Sequence, residues 1–121
     1  MSKITRFEDL ECWQSARQLV KKVYLVSMKG PLGHDYDTKS QLRKAGLSSM
    51  NNIAEGFSRF NKKDSVKFYD YAQSSVAEVR SMLYVFEDLE YLSKNDLDDL
   101  FKKTEKTQKL ILGFIRYVNK R

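Results

Sequence analysis

Residues 64–91 read DSVKFYDYAQSSVAEVRSMLYVFEDLEY, and this stretch decides the fold. It holds neither glycine nor proline across 28 residues. A strand rarely runs beyond about 10 residues, whereas a helix carries such a length easily. Phe68, Ala72, Ser75, Val79, Met82, Phe86 and Leu89 recur every three or four positions. At ~100° per residue they share one face, the pattern of an amphipathic helix.

Working outward, Arg59-Phe60-Asn61 breaks the pattern before this stretch and Leu92-Ser93 after it. Three further helical segments are predicted at Leu10–Met28, Thr38–Ser58 and Lys94–Asn119. Gly30-Pro31-Leu32-Gly33 is the expected break between the first two. Asp37 is the expected cap of the second segment, and Ser93 with Asp96 resembles a capping box for the fourth. The first segment offers Cys12, Trp13, Ala16, Leu19, Val20, Val23 and Tyr24 to a core. The second offers Leu42, Ala45, Ser49, Ile53 and Phe57, and the fourth Leu97, Leu100, Thr104, Ile111, Ile115 and Val118. Each stripe must be buried against the others. Short connections make successive helices antiparallel, so the expectation is an all-α, antiparallel up-down-up-down four-helix bundle spanning residues 1–121 as a single domain.

Composition agrees and excludes much. The chain has 121 residues, 41% apolar and 31% charged, with five glycines and one proline. That is one domain's length, with enough apolar content to bury a core. No apolar run approaches the ~20 residues that cross a bilayer, and the first residues lack the apolar centre of a signal peptide. The lone cysteine, Cys12, has no intrachain disulfide partner, so a cytoplasmic protein is expected. The lone histidine, His34, reads as a solvated loop residue rather than the base of a triad. Cysteine–histidine zinc sites need about four ligands. Glycine-rich nucleotide motifs are missing. A bundle di-iron site needs Glu-x-x-His pairs, and no predicted helix carries a histidine. Glu55 and Glu78 can face each other, but read better as partners in salt bridges or hydrogen bonds. No enzymatic activity, metal or cofactor is expected.

The charge is +6, and its placement is informative. Residues 39–67 carry seven cations against two anions, residues 84–100 one against six, and residues 101–121 seven against one. On a bundle this gathers Lys3, Arg6, Arg59, Lys62, Lys63, Lys67, Arg116, Lys120 and Arg121 at one end. Glu87–Asp99 makes the other end acidic. Along the fourth helix Lys102, Lys106, Lys109, Arg116 and Lys120 fall within ~80° of one another. This is either a solvated face or a footprint for nucleic acid, where clustered cations neutralise phosphates. The polarity favours nucleic acid, because a merely solubilising surface mixes its signs.

Some residues look misplaced on a monomer's surface. Leu47, Met50 and Ala54 flank the second stripe, and Leu25 sits among polar neighbours on the first helix. Tyr69, Tyr84 and Tyr91 line up with Gln73 and Arg80, away from the expected core. Oligomer contact ranks first for this set, ordinary bundle flank second and base stacking third.

Phe7-Glu8-Asp9-Leu10, then Trp13, Ala16, Leu19 and Val23-Tyr24, resemble the opening of the bacterial 23S rRNA intervening-sequence protein family. Gln41, Asn52-Ile53-Ala54-Glu55-Gly56 and Arg59 resemble that family's central motif, and Phe68, Ala72, Ser75 and Glu78 its third-helix pattern. Asp88-Leu89-Glu90-Tyr91-Leu92 is similar to its next turn, except that Glu90 stands where glycine is usual; Phe57 likewise replaces a small residue. The resemblance implies a four-helix bundle assembling into a ring, a homopentamer, with no established enzymatic activity. In a related branch, accessory to diversity-generating retroelements, a basic ring binds nucleic acid and a reverse transcriptase. For the motif itself, Glu55 is expected to pair with an arginine of a neighbouring helix or subunit as a lock on register, with Gly56 allowing close approach.

Overall fold

The structure, a computed structural model, describes residues 3–121. A 3-10 turn at Phe7–Asp9 leads into five helices: α1 (Glu11–Ser27), α2 (Gly30–His34), α3 (Tyr36–Phe57), α4 (Lys62–Asp88) and α5 (Lys94–Asn119). The four long ones are the four predicted segments, and α5 has the predicted bounds.

Local chemistry sets the ends. Ser93 accepts the Asp96 amide at 3.1 Å, as expected, and Asn61 accepts the Asp64 amide at 2.8 Å. For α3 the cap is Asp35, which accepts the Thr38 amide at 3.2 Å; the predicted cap, Asp37, lies inside the first turn. The predicted break at Gly30–Gly33 is instead part of α2. Pro31 occupies the helix start, where its missing amide costs nothing. Gly33 is needed because a Cβ there would come within 3.0 Å of the Met28 carbonyl oxygen. His34 ends α2 and is exposed.

Contacts between helices give their order and direction. On α1 and α5, Ser15 and Thr107 hydroxyls meet at 2.7 Å and Lys22 reaches Asp96 at 2.8 Å. On α3 and α4, Ser48 and Ser75 hydroxyls meet at 2.8 Å, and Gly56 lies against Tyr69. On α4 and α5, the Tyr69 and Phe114 rings meet edge to face at 5.0 Å, and Arg80 pairs with Glu105 at 3.2 Å. On α1 and α3, Arg43 donates to the Ser27 hydroxyl at 2.8 Å, while Gly46 lies beside Val20 and Val23. In every pair the numbers rise on one helix as they fall on the other. Neighbouring helices are therefore antiparallel, in the cyclic order α1, α3, α4, α5.

Leu19, Val23, Leu42, Ile53, Val76, Leu83, Phe86, Leu100 and Ile111 are fully buried at the centre. Each such side chain stabilises the fold by about 1.5–3 kcal/mol relative to an exposed one. Among the described residues, no buried side-chain polar atom lacks a hydrogen-bond partner. The α4 face differs from the expectation. Tyr69, Val76 and Leu83 occupy the seam, Phe68, Ser75 and Met82 sit half-buried on its flank, and Leu89 is exposed. The seam is turned by one residue because Gly56 of α3 makes room for the Tyr69 ring.

Candidate nucleic-acid interface

The basic end is assembled by the α3–α4 loop and the end of α5. Lys62 Nζ donates to the Arg121 carbonyl at 2.8 Å, tying the two together. Arg59 is held twice, by an ion pair with Glu55 one turn back and by the Phe68 ring, whose centroid is 4.5 Å from the guanidinium carbon. Its charge is thus partly spent within the chain. Lys62, Lys63 and Lys67 are exposed, with no carboxylate in salt-bridge range among the described residues.

From this end the cations continue along α5. Lys102, Lys106, Lys109, Arg116 and Lys120 are all exposed and, among the described residues, none is in an ion pair. At ~1.5 Å per residue the row is about 27 Å long. Glu105, the acid closest to it in sequence, is engaged by Arg80. Arg80 thereby offsets the Glu105 charge within the row.

At the opposite end the acids are less free than the sequence alone implies. Lys22 and Lys29 of the α1 end hold Asp96 at 2.8 and 3.5 Å, and Lys22 and Lys103 hold Asp99 at 3.5 and 2.9 Å. The Lys22 hydrogen bond keeps the Asp96 carboxyl below its ordinary range, and the same bond raises the Lys22 ammonium. The Tyr91 hydroxyl donates to Asp35 at 3.0 Å, joining the α4–α5 loop to the start of α3.

The residues expected at an oligomer contact divide. Leu25 and Tyr84 are 47% and 51% exposed, Tyr84 resting on the Phe101 ring. Leu47, Ala54 and Arg80 are half-buried. Tyr69 is 3% exposed and belongs to the core, which corrects its place in the surface stripe. Its ring lies on Gly56, where only a missing side chain leaves room. Burial pushes its hydroxyl up to about 12. Tyr91 also leaves the stripe, stacking on Phe86.

The polar contacts of the central motif differ from those expected. Asn52 Nδ2 donates to the Ser48 carbonyl and hydroxyl, both at 2.9 Å, and Ser48 meets Ser75 across the α3–α4 seam. Within the chain the Glu55 partner is Arg59 of its own helix end, not an arginine of a neighbouring helix. Glu55 and Glu78 are exposed, and the α3–α4 register puts them on different levels of the bundle. Among the described residues, no group of three or more His, Cys, Asp or Glu side chains is placed to hold a metal. No helix among them is long and apolar enough to cross a membrane.

A second cluster of cations lies on α3, away from the row. Lys39, Arg43 and Lys44 line a shallow groove with Tyr24, Tyr36 and Leu47. Arg43 lies 4.4 Å over the Tyr24 ring and Lys39 5.0 Å over the Tyr36 ring. Tyr36, Lys39 and Arg43 are spaced three and four apart on α3, but Tyr24 joins them only where α1 packs on α3.

A family model described as 23S rRNA-intervening sequence protein matches residues 8–113. No curated protein matches the chain significantly. Among solved structures, the chain is similar to a protein of unknown function from the S23 ribosomal protein family of Bacteroides thetaiotaomicron. The two are 17% identical, with a TM-score of 0.78 over 87% of this chain and 95% of that one. At that identity the likeness carries the fold alone.

Proposed function

This chain belongs to the 23S rRNA-intervening sequence protein family, and from that membership we propose that it is a non-enzymatic nucleic-acid-binding protein whose target is structured RNA. The observation that carries this reading is the row of five exposed, unpaired cations on α5, continuous with Lys62, Lys63 and Lys67. Such a row displaces the cations condensed on a nucleic acid's phosphates, and their release drives binding. Arg59 adds a guanidinium at the end of the row when it exchanges Glu55 for phosphate. Contacts from the row go to phosphates, which position a nucleic acid without reading its sequence, so sequence preference is slight. The reading includes self-association into a homopentameric ring, in which each copy contributes its row. A second reading, a scaffold or reverse-transcriptase accessory protein held by its apolar and tyrosine surface, is favoured by exposed Leu25 and Tyr84.

Fluorescence anisotropy with an RNA hairpin, a single strand and duplex DNA over a salt series tests the proposal. The hairpin is expected to bind best, with log affinity falling linearly with log salt. Changing Lys102, Lys106 and Lys109 together to Gln is expected to reduce the slope by about 2–3, since each phosphate contact contributes ~0.7–0.9. Failure to bind any of the three at low salt overturns it.

A further inference from the structure

The N-terminal segment, the start of α1, the end of α3 and the end of α5 enclose a cavity of about 440 Å³. That lies within the ~300–1,000 Å³ of small-ligand sites. Leu10, Cys12, Phe57 and Phe114 form an apolar wall. The Cys12 thiol is pushed up to about 11 by burial, as an apolar lining dictates. Lys3, Lys109 and Arg121 stand at the lining with a single acid, Glu11. Arg121 is positioned by the Lys62 bond to its carbonyl and by the Tyr117 ring, 5.6 Å from its guanidinium carbon.

Gly113 is the second observation. It lines the cavity inside α5, where glycine weakens a helix relative to alanine. Neither usual reason for glycine applies. Its φ is not in the left-handed region, where Gly30 is found. A Cβ built on it meets only the Arg116 guanidinium, at an ordinary 3.7 Å. Gly56 is the contrast, with a ring and a carbonyl in the way. What the missing side chain at position 113 does is leave the cavity open.

We propose that this cavity binds an amphipathic monocarboxylate, its apolar chain against Leu10, Cys12, Phe57 and Phe114 and its carboxylate among Lys3, Lys109 and Arg121. The lining selects this class on two counts: the wall offers a chain no polar partner, and the cations outnumber the acid. The inference goes beyond the nucleic-acid reading and does not depend on it.

Decanoate titrated into the full chain, followed by calorimetry and by the rate of Cys12 alkylation with N-ethylmaleimide, tests it. One decanoate per chain is expected to saturate and to slow alkylation at least fivefold. Decanol is expected to bind at least fivefold more weakly than decanoate. Arg121→Gln is expected to weaken decanoate several-fold while leaving decanol unchanged. Gly113→Leu fills the cavity and strengthens the helix, so it is expected to fold and to lose decanoate binding by at least tenfold. Decanoate that does not saturate, or that binds Gly113→Leu as well as the parent, overturns the proposal. So does Cys12 protection that rises with protein concentration without any ligand, since a second copy would then occupy the cavity.

Discussion

The Tyr91 amide donates to the Phe86 carbonyl at 2.8 Å, and the two rings stack with centroids 6.0 Å apart. The Glu90 amide meanwhile donates to the Glu87 carbonyl at 3.2 Å. Together these are the paired bonds and apolar contact of a Schellman end to α4. The motif needs its penultimate residue in the left-handed region, and Glu90 has φ 55°. A side chain there costs about 1–2 kcal/mol, and a carboxylate at a helix C-terminus opposes the macrodipole. Glycine takes such a φ without that cost. Packing of Phe86 on Tyr91 holds the turn in spite of it. Glu90→Gly is expected to stabilise the protein by about 1 kcal/mol, measured as a higher urea midpoint at unchanged slope.

Two glycines of α3 are expected to respond oppositely to alanine. A Cβ at position 56 would lie 2.6 Å from the Tyr69 ring and 2.9 Å from the Ser65 carbonyl oxygen. The ring can turn a little, but the carbonyl belongs to the α4 backbone. Gly56→Ala is expected to cost about 1–3 kcal/mol by overpacking, outweighing the gain in helix propensity. At position 46 the nearest atoms are Val23 and Val20 methyls at 3.7 and 3.8 Å, an ordinary contact. Gly46→Ala is expected to gain about 0.5–1 kcal/mol. Urea unfolding of the two variants beside the parent checks both signs.

The Lys22–Asp96 pair predicts the acid limb of stability. The Asp96 carboxyl is held below its ordinary range, chiefly by the Lys22 hydrogen bond. A carboxyl lowered in the folded state contributes stability above its unfolded value and loses it as pH falls through the folded one. Lys22, raised by the same bond, contributes below its ordinary 10.5 and loses it as pH rises further. Asp96 also sits in the first turn of α5, where a negative charge favours the helix. Asp96→Asn is expected to cost about 1–2 kcal/mol at pH 7. The variant and the parent are expected to converge well below pH 4, where the parent's carboxyl is protonated. Unfolding midpoints at pH 7 and at pH 2 give the comparison.

Helix identity and polarity were legible because they rest on period and on caps such as Ser93, which act within a few residues. The α4 seam was harder. Phe68, Ser75 and Met82 make one apolar row, Tyr69, Val76 and Leu83 another, and both share Ala72, Val79 and Phe86. Periodicity weighs the rows alike. Gly56 on another helix decides between them, by making room for the Tyr69 ring. The basic row was legible for the same local reason as the helices, being one face of one helix. The cation–aromatic groove at Tyr24 and Tyr36 was not, because Arg43 and Tyr24 meet only when α1 and α3 are paired.

Removal of Tyr69 and Tyr91 from the surface stripe leaves Tyr84 and Arg80 as its testable part. Tyr84 is half exposed on the Phe101 ring, a flat aromatic face of the sort that anchors protein contacts. Arg80 is occupied by Glu105, an exposed pair contributing at most about 1 kcal/mol to the monomer. Truncating both is therefore expected to leave the fold intact while weakening a self-contact centred on Tyr84. Light scattering of Tyr84→Ala/Arg80→Ala is expected to show a molar mass below that of the parent at equal concentration, with an unchanged helical circular dichroism signal. An unchanged mass assigns Tyr84 to the bundle flank and moves the self-contact elsewhere, to the face around Leu25 and Leu47. The same double variant frees Glu105 beside the basic row only if Glu105 finds no other cation. Its RNA affinity, compared at one salt concentration with that of Tyr84→Ala alone, separates the Arg80 effect on charge from the Tyr84 effect on assembly.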